Sequence, residues 1–272
     1  MSRMGRFMQV PNLRGSTVFK SSLERPRITP KQSPSLSTAY CSLCKPHTTS
    51  AITMATQVQV ENALLVKARA SGSKEDCMAL YDTWATSYNQ DLTDASQSYV
   101  APFTVAQAAL QLTKIPNARI LDAGCGTGLV GEGLTRGAGH ATSLTIDGLD
   151  LSPAMLAVAA NTGVYRTLTK ADLTQPIALP AETYDIVTCA GTFTHGHVGP
   201  DPALREFIRI LKTDGLVVAT ILDEVWVSMG FDAEIERLVA EGLVRVVSIE
   251  LTDYRKGWDK ARLVVLAKTA TA

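Results

Sequence analysis

The 272 residues balance 26 Lys and Arg against 26 Asp and Glu, and 46% of them are apolar, with no apolar run approaching a membrane span. This neutrality conceals a polarity: residues 1–53 carry eight basic residues and a single acid, Glu24, while residues 54–272 carry 18 basic residues against 25 acids. The acidic part lacks the basic surface needed to displace counterions from RNA or DNA, so a nucleic-acid substrate is not expected, nor is a membrane partner.

In chain order, residues 1–53 are rich in Arg, Ser, Thr and Pro, and Pro11, Pro26, Pro30, Pro34 and Pro46 interrupt any long helix. This reads as a disordered basic leader, with two interpretations open. It is a transit peptide directing the protein to the mitochondrion or another organelle, or it is upstream sequence ahead of a start at Met54, which leaves the protein cytoplasmic. The domain proper is expected over residues 54–272. Five cysteines, Cys41, Cys44, Cys77, Cys125 and Cys189, include no second pair beside Cys41-x-x-Cys44, and no metal site is expected.

Helical periodicity runs over 57–70, 74–90 and 103–113, the second carrying Tyr81, Trp84 and Tyr88 at helical spacing. An alternation follows: strand 118–122, helix 128–136, strand 144–150, helix 153–161, strands 165–170 and 184–190, helix 201–211 and strand 215–222. Alternating strands and helices imply crossover units and a parallel sheet. The helix after 165–170 is expected to be reduced or absent, so that the next strand crosses the sheet and creates a ligand-binding switch point. After helix 232–241, two β-rich runs at 244–251 and 261–267, joined by a turn near Lys256-Gly257, predict an antiparallel hairpin. The fold class is therefore α/β, Rossmann-like, with a mostly parallel seven-stranded sheet closed by a C-terminal antiparallel hairpin.

The stretch Ile120-Leu121-Asp122-Ala123-Gly124-Cys125-Gly126-Thr127-Gly128 reads as a buried strand ending in an acid, then glycines at alternate positions. Bare backbone there lets a ligand approach closely, and the helix that follows points unpaired N–H groups at it. Gly126-Thr127-Gly128-Leu129-Val130-Gly131 also satisfies the dinucleotide pattern, with Asp150 placed as a ribose acid, so a nicotinamide cofactor stays open. Four residues separate the strand's apolar end from Gly126, and Asp122 sits in the mouth where a pyrophosphate would lie. Both features favour a ligand with an amine or cationic group, such as S-adenosylmethionine.

Leu121 to Gly128, then Gly148-Leu149-Asp150-Leu151-Ser152-Pro153, Ala171-Asp172-Leu173 and Tyr184-Asp185-Ile186-Val187 resemble the class I S-adenosylmethionine-dependent methyltransferases over roughly residues 78–222. More narrowly, Tyr81-Asp82-Thr83-Trp84-Ala85 with Tyr88-Asn89, and Gly191 to Val198, look like the subfamily of the Williams–Beuren region methyltransferase-like protein. The resemblance implies S-adenosylmethionine as methyl donor and a small-molecule acceptor, methylated at oxygen or nitrogen. It assigns Gly124, Cys125, Gly126 and Gly128 to the donor turn and Asp122 to the donor's methionine amino end. Asp150, ahead of Asp147, takes the ribose hydroxyls; Asp172 accepts from the adenine amine, with Leu151 and Leu173 on the ring. Tyr88 is expected to touch the donor, while Trp84 is expected in the core.

On the acceptor side the loop 190–200 holds His195 and His197, either of which is placed to act as a base for a hydroxyl or amine acceptor, or simply to shape the loop. Asp223, Glu224 and Trp226 follow the next strand at the same mouth. A donor-binding partner protein without catalysis and an NAD-dependent oxidoreductase are the alternative functions, and the sequence leaves the oligomeric state open.

Overall fold

The structure, a computed structural model, describes residues 60–113, 115–139 and 143–270. The basic leader, 1–53, lies outside the described residues. Three short helices come first: α1 (Ala63–Arg69), α2 (Lys74–Trp84) and α3 (Tyr88–Thr93). Side-chain caps start two of them. Asn62 accepts from the Leu64 and Leu65 N–H groups, and Ser73 accepts from the Asp76 N–H, with Glu75 and Asp76 facing the positive end of the α2 dipole.

The single helix expected over 74–90 is broken into α2 and α3. Asp91 Oδ2 accepts from both Trp84 Nε1 at 2.7 Å and Ser87 Oγ at 2.9 Å, and the Ser87 N–H closes a turn on the Trp84 carbonyl at 3.1 Å. Thr86 and Ser87, weak helix formers, occupy the break, where side-chain hydrogen bonds compete with the helical ladder. The tight turn carries Trp84 into the core at 1% exposure.

α4 (Ala101–Leu112), with Pro102 in its first turn, leads into the alternation β1 (Arg119–Ala123), α5 (Leu129–Ala138), β2 (Thr145–Asp150), α6 (Pro153–Asn161), β3 (Tyr165–Lys170) and β4 (Tyr184–Phe193). No helix separates β3 from β4. The chain continues through α7 (Ala203–Ile210), β5 (Leu211–Leu222), a short 3₁₀ turn at Asp223–Val225, α8 (Phe231–Ala240), β6 (Val244–Arg255) and β7 (Asp259–Lys268). The last strands are longer than the sequence pattern marks, because the hairpin pairing runs on past its apolar residues as far as Arg255 against Asp259.

The seven strands order as β3-β2-β1-β4-β5-β7-β6, with β7 antiparallel to both neighbours and the rest parallel. β1 and β4 leave the sheet's centre in opposite directions of connection, which opens a crevice at their carboxyl ends. Side chains alternate between two apolar layers: Leu121, Ala123, Val187 and Cys189 join one, Ile120, Ile186 and Val218 the other, beneath α4 and α5. Among the described residues no helix is long and apolar enough to cross a membrane.

The helices α2 and α3 roof the crevice and are fastened to its rim by side chains. Ser152 Oγ donates to Asp82, Thr127 Oγ1 donates to Asn89, and Lys74 Nζ pairs with Asp172 Oδ2 at 2.9 Å. At the other end a buried polar knot ties the start of the domain to the hairpin. Arg255, 1% exposed, donates to Asp259, to Glu61 at 2.6 Å and to Gln97 at 3.1 Å, while Arg69 reaches Asp259 at 2.8 Å.

Candidate functional site

A cavity of about 400 Å³ opens at the carboxyl ends of β1, β2, β3 and β4, under the α2–α3 roof. Its floor is the glycine turn. Gly124, Gly126 and Gly128 all hold positive φ, at +70°, +53° and +99°. At Gly124 a Cβ would lie 2.0 Å from Thr192 Oγ1, so the turn and the loop after β4 pack together only without one. At Gly126 the corresponding space is empty and faces the cavity, leaving backbone open to a ligand.

Asp150, ending β2, fixes this turn. Its Oδ2 accepts from the Gly126 N–H at 2.8 Å and its Oδ1 from the Ser152 N–H at 2.9 Å. Burial raises its carboxyl above the usual range, against the lowering effect of the Ser152 and Gly126 N–H groups. Each oxygen keeps a further lone pair, and Asp150 lines the cavity. Leu151, Leu173 and Met155 line the same wall, and Cys125 sits beside them as a buried thiol whose pKa is pushed up by burial. A half-buried carboxylate able to accept from a diol, apolar walls for a ring and bare backbone at Gly126 form a set that fits an adenosine donor.

Other expected donor residues are placed differently. Asp122 does not line the cavity: it is wholly buried, accepting from Tyr165 Oη at 2.7 Å and Thr188 Oγ1 at 3.2 Å. Those two hydroxyls hold the carboxylate off the cavity wall, where it was expected to face the ligand. Gly128 is also off the wall; it begins α5, and a Cβ there would press 3.1 Å from the Tyr165 ring. Asp172 is on the wall with both oxygens engaged, Oδ1 by the Thr174 N–H at 2.9 Å and Oγ1 at 2.7 Å, Oδ2 by Lys74. Burial alone would raise its carboxyl, but the Thr174 and Lys74 hydrogen bonds outweigh it and hold it below the usual range. Asp147 turns away to Arg166, Thr167 and Tyr184. Tyr88 and Tyr81 both line the cavity.

The two histidines separate. Gly196, at φ +72°, lies between them, and only His197 lines the cavity, with Nε2 3.3 Å from Tyr81 Oη and Nδ1 against Thr194 Oγ1. Burial lowers its pKa, leaving the imidazole neutral at physiological pH. His195 is partly exposed and off the wall, paired with Glu224 at 2.7 Å. Asp223 and Trp226 are both taken up by Arg262, through an ion pair at 2.9 Å and ring stacking at 4.9 Å.

Several wall residues carried no usable sequence signal. Tyr99 follows the polar stretch 94–98, which reads as plain loop; Lys74, Cys77 and Met78 look like any helix start. Among the described residues no group of three or more His, Cys, Asp or Glu clusters as metal ligands do.

The buried Asp122 makes the fold pH-sensitive. Burial raises its carboxyl to about 7, opposed by hydrogen bonds from Tyr165 and Thr188. A folded-state value above the unfolded one contributes stability that is full below the ordinary carboxylate range and is lost as pH rises through 7. Asp122→Asn is therefore expected to gain on the parent by a few kcal/mol, on the order of the linkage term, between pH 5 and pH 8. Urea melts of both proteins at the two pH values check this; a difference that stays constant with pH contradicts it.

A sheet of order β3-β2-β1-β4-β5-β7-β6 with its one antiparallel strand next to the edge, a glycine turn after β1 and a half-buried acid ending β2 define the class of fold. The chain has the Rossmann-like fold of the class I S-adenosylmethionine-dependent methyltransferases. In agreement, residues 120–215 match the family model for the methyltransferase domain. The chain is similar to methyltransferase-like protein 27 of Homo sapiens, 38% identical over 143 residues that cover 52% of this chain and 55% of that protein. It is also similar to the ubiquinone biosynthesis O-methyltransferase of Pseudomonas savastanoi, 36% identical over 36% of this chain and 42% of that protein. The chain thus spans about half the length of the curated relatives it matches. Among solved structures, magnesium protoporphyrin IX methyltransferase from Synechocystis PCC 6803 with bound SAH superposes with a TM-score of 0.55 at 16% identity, over 72% of this chain and 100% of that one. The cyclase SpnF gives the same TM-score and identity over 73% of this chain and 97% of its own, which shows the fold alone.

Proposed function

We propose that this protein transfers the methyl group of S-adenosylmethionine to a small molecule, at oxygen or nitrogen. The observation that carries this reading is Asp150: a half-buried carboxylate at the end of β2, bonded to the Gly126 N–H of the turn and still open to the cavity. It would accept from the donor's ribose hydroxyls, while Leu151 and Leu173 flank the ring and the backbone of Gly124 to Gly126 passes along the chain of the donor. Asp172 Oδ1 is taken up by Thr174, but Oδ2 accepts only from Lys74 and keeps a lone pair that would accept from the adenine amine. When bound, the donor supplies a sulfonium-activated methyl, so the protein's part is chiefly to hold an acceptor close and in line and to keep water out.

His197 is the residue proposed to take a proton from a hydroxyl acceptor; it is neutral, half-buried and on the wall, whereas His195 belongs to the rim. The relation to ubiquinone biosynthesis O-methyltransferases supports oxygen as the acceptor atom. That a cyclase shares the fold gives one specific ground for a second reading, a donor-binding protein without methyl transfer.

Calorimetric titration with S-adenosylmethionine, its demethylated product and NAD tests the proposal. Micromolar binding of the first two with none of NAD is the expected result. Binding of NAD alone, or of none of the three, overturns it; donor binding with no methylated product across a substrate screen favours the second reading.

A further inference from the structure

The end of the cavity beneath β4 differs chemically from the end beneath β2 and β3. Gly191, at φ +80°, leaves its bare face to the Tyr99 hydroxyl, which would lie 2.5 Å from a Cβ there. Tyr81, Tyr88 and His197 complete this end, with ring centroids of Tyr81 6.1 Å from Tyr88 and 5.7 Å from His197. Behind them a small recess is lined by Arg69, Tyr254 and Arg255, with the Tyr254 ring 5.1 Å from that of Tyr99. The carboxylates that neutralise those guanidinium groups, Glu61 and Asp259, line neither space. The acids that do line the cavity, Glu75, Asp150 and Asp172, belong to the β2 and β3 side.

We infer that this end of the cavity is built for a planar aromatic acceptor carrying an uncharged or anionic oxygen, and that it rejects ammonium groups. The inference rests on the methyl-transfer reading and narrows it to oxygen. Three aromatic rings and an imidazole offer flat apolar faces with hydroxyl and nitrogen edges, the combination that holds a ring by stacking and its oxygen by hydrogen bonds. Burial pushes the hydroxyls of Tyr81 and Tyr99 well above their ordinary range and the imidazole of His197 below its own, so the wall stays neutral. An ammonium ion there would give up its hydration with no carboxylate in the wall of this end to pair with it, and next to the positive sulfonium the donor brings. Cation–π attraction to the tyrosines is the opposing force, and it is the smaller one where a like charge shares the cavity.

The test uses the full chain and separates this inference from the reading beneath it. Binding of S-adenosylhomocysteine is measured first, and its failure removes the methyl-transfer reading itself. On the product-loaded protein, phenol, benzoate and benzylamine are then compared, as single-ring probes that differ in the charge and donor atom of their substituent, by ligand-observed NMR. The expected result is that the tighter oxygen probe binds at least tenfold better than benzylamine. Tyr81→Leu is expected to weaken that probe tenfold while product affinity changes less than twofold. If Tyr81→Leu also loses the product, Tyr99→Phe serves instead, since it removes a hydroxyl and keeps the ring. Equal or tighter binding of benzylamine, no binding of any probe at millimolar concentration, or an oxygen probe indifferent to the variant that retains product binding each overturns the inference.

Discussion

Asp150→Ala is expected to weaken S-adenosylhomocysteine binding about 100-fold, the equivalent of the roughly 3 kcal/mol that two hydrogen bonds to a charged acceptor contribute. The residue's surroundings explain why so much rests on it. Its carboxylate is half-buried and carries two backbone donors, yet its pKa is still raised, so the folded protein bears a desolvation penalty that those donors do not offset. Further donors, such as a pair of ribose hydroxyls, would offset it. The alanine also strands the Gly126 and Ser152 N–H groups, so a lower melting temperature accompanies the lost affinity. Asp150→Asn separates the two effects: it keeps the side chain's shape and one oxygen acceptor, and is expected to lose about tenfold in affinity with a smaller loss of stability. Calorimetry and thermal melts on both variants check this. Full product affinity in a folded Asp150→Ala protein would remove Asp150 from the donor site.

Arg255→Met is expected to produce the largest loss of stability, about 3–5 kcal/mol, the range seen when one partner of a buried ion pair is removed and the other is left behind. Arg255 is 1% exposed and serves Glu61, Gln97 and Asp259 together, whereas Arg69 is 19% exposed and has solvent to replace what it loses. Arg69→Met should therefore cost markedly less. Burial acts to raise the Asp259 carboxyl, but hydrogen bonds from Arg255 and Arg69 prevail and hold it below the usual range. Such a group contributes stability above the unfolded carboxylate range and loses it as pH falls through the lowered folded value. The parent should show this acid-side loss, and Arg255→Met should show less of it. Denaturant melts over pH 2–6 measure both; equal stability of the two arginine variants would contradict the placement of the knot.

The fold was legible wherever a period was sustained. The parallel alternation, the missing helix after β3 and the antiparallel hairpin all follow from apolar spacing and turn residues, and the topology matches what those patterns predict. The break between α2 and α3 was not legible, because it depends on Asp91 accepting from Trp84 and Ser87, a side-chain bond that leaves the helical spacing of the aromatics intact. In the site, motif spacing marks the turn and Asp150, which the structure places on the cavity wall, since their positions depend on local backbone. It misplaced Asp122, whose partners Tyr165 and Thr188 come from strands 43 and 66 residues away in sequence. It also missed Tyr99, which gains its position from an isolated bridge to Arg255 and from the Tyr254 ring. What depends on one strand and its next turn can be read from spacing; what depends on three distant segments meeting cannot.

The roof of the cavity, from Lys74 to Tyr99, lies outside the stretch 120–215 that matches the methyltransferase family model, while the turn and Asp150 lie inside it. Clasps of side chains join the two parts: Ser152 to Asp82, Thr127 to Asn89, Lys74 to Asp172. The cavity is thereby assembled from two lengths of chain that side chains hold together. A graft that replaces the roof has to keep Lys74, Asp82 and Asn89 to stay fastened, and Glu61 and Gln97 as well, or it leaves Arg255 buried without two of its partners.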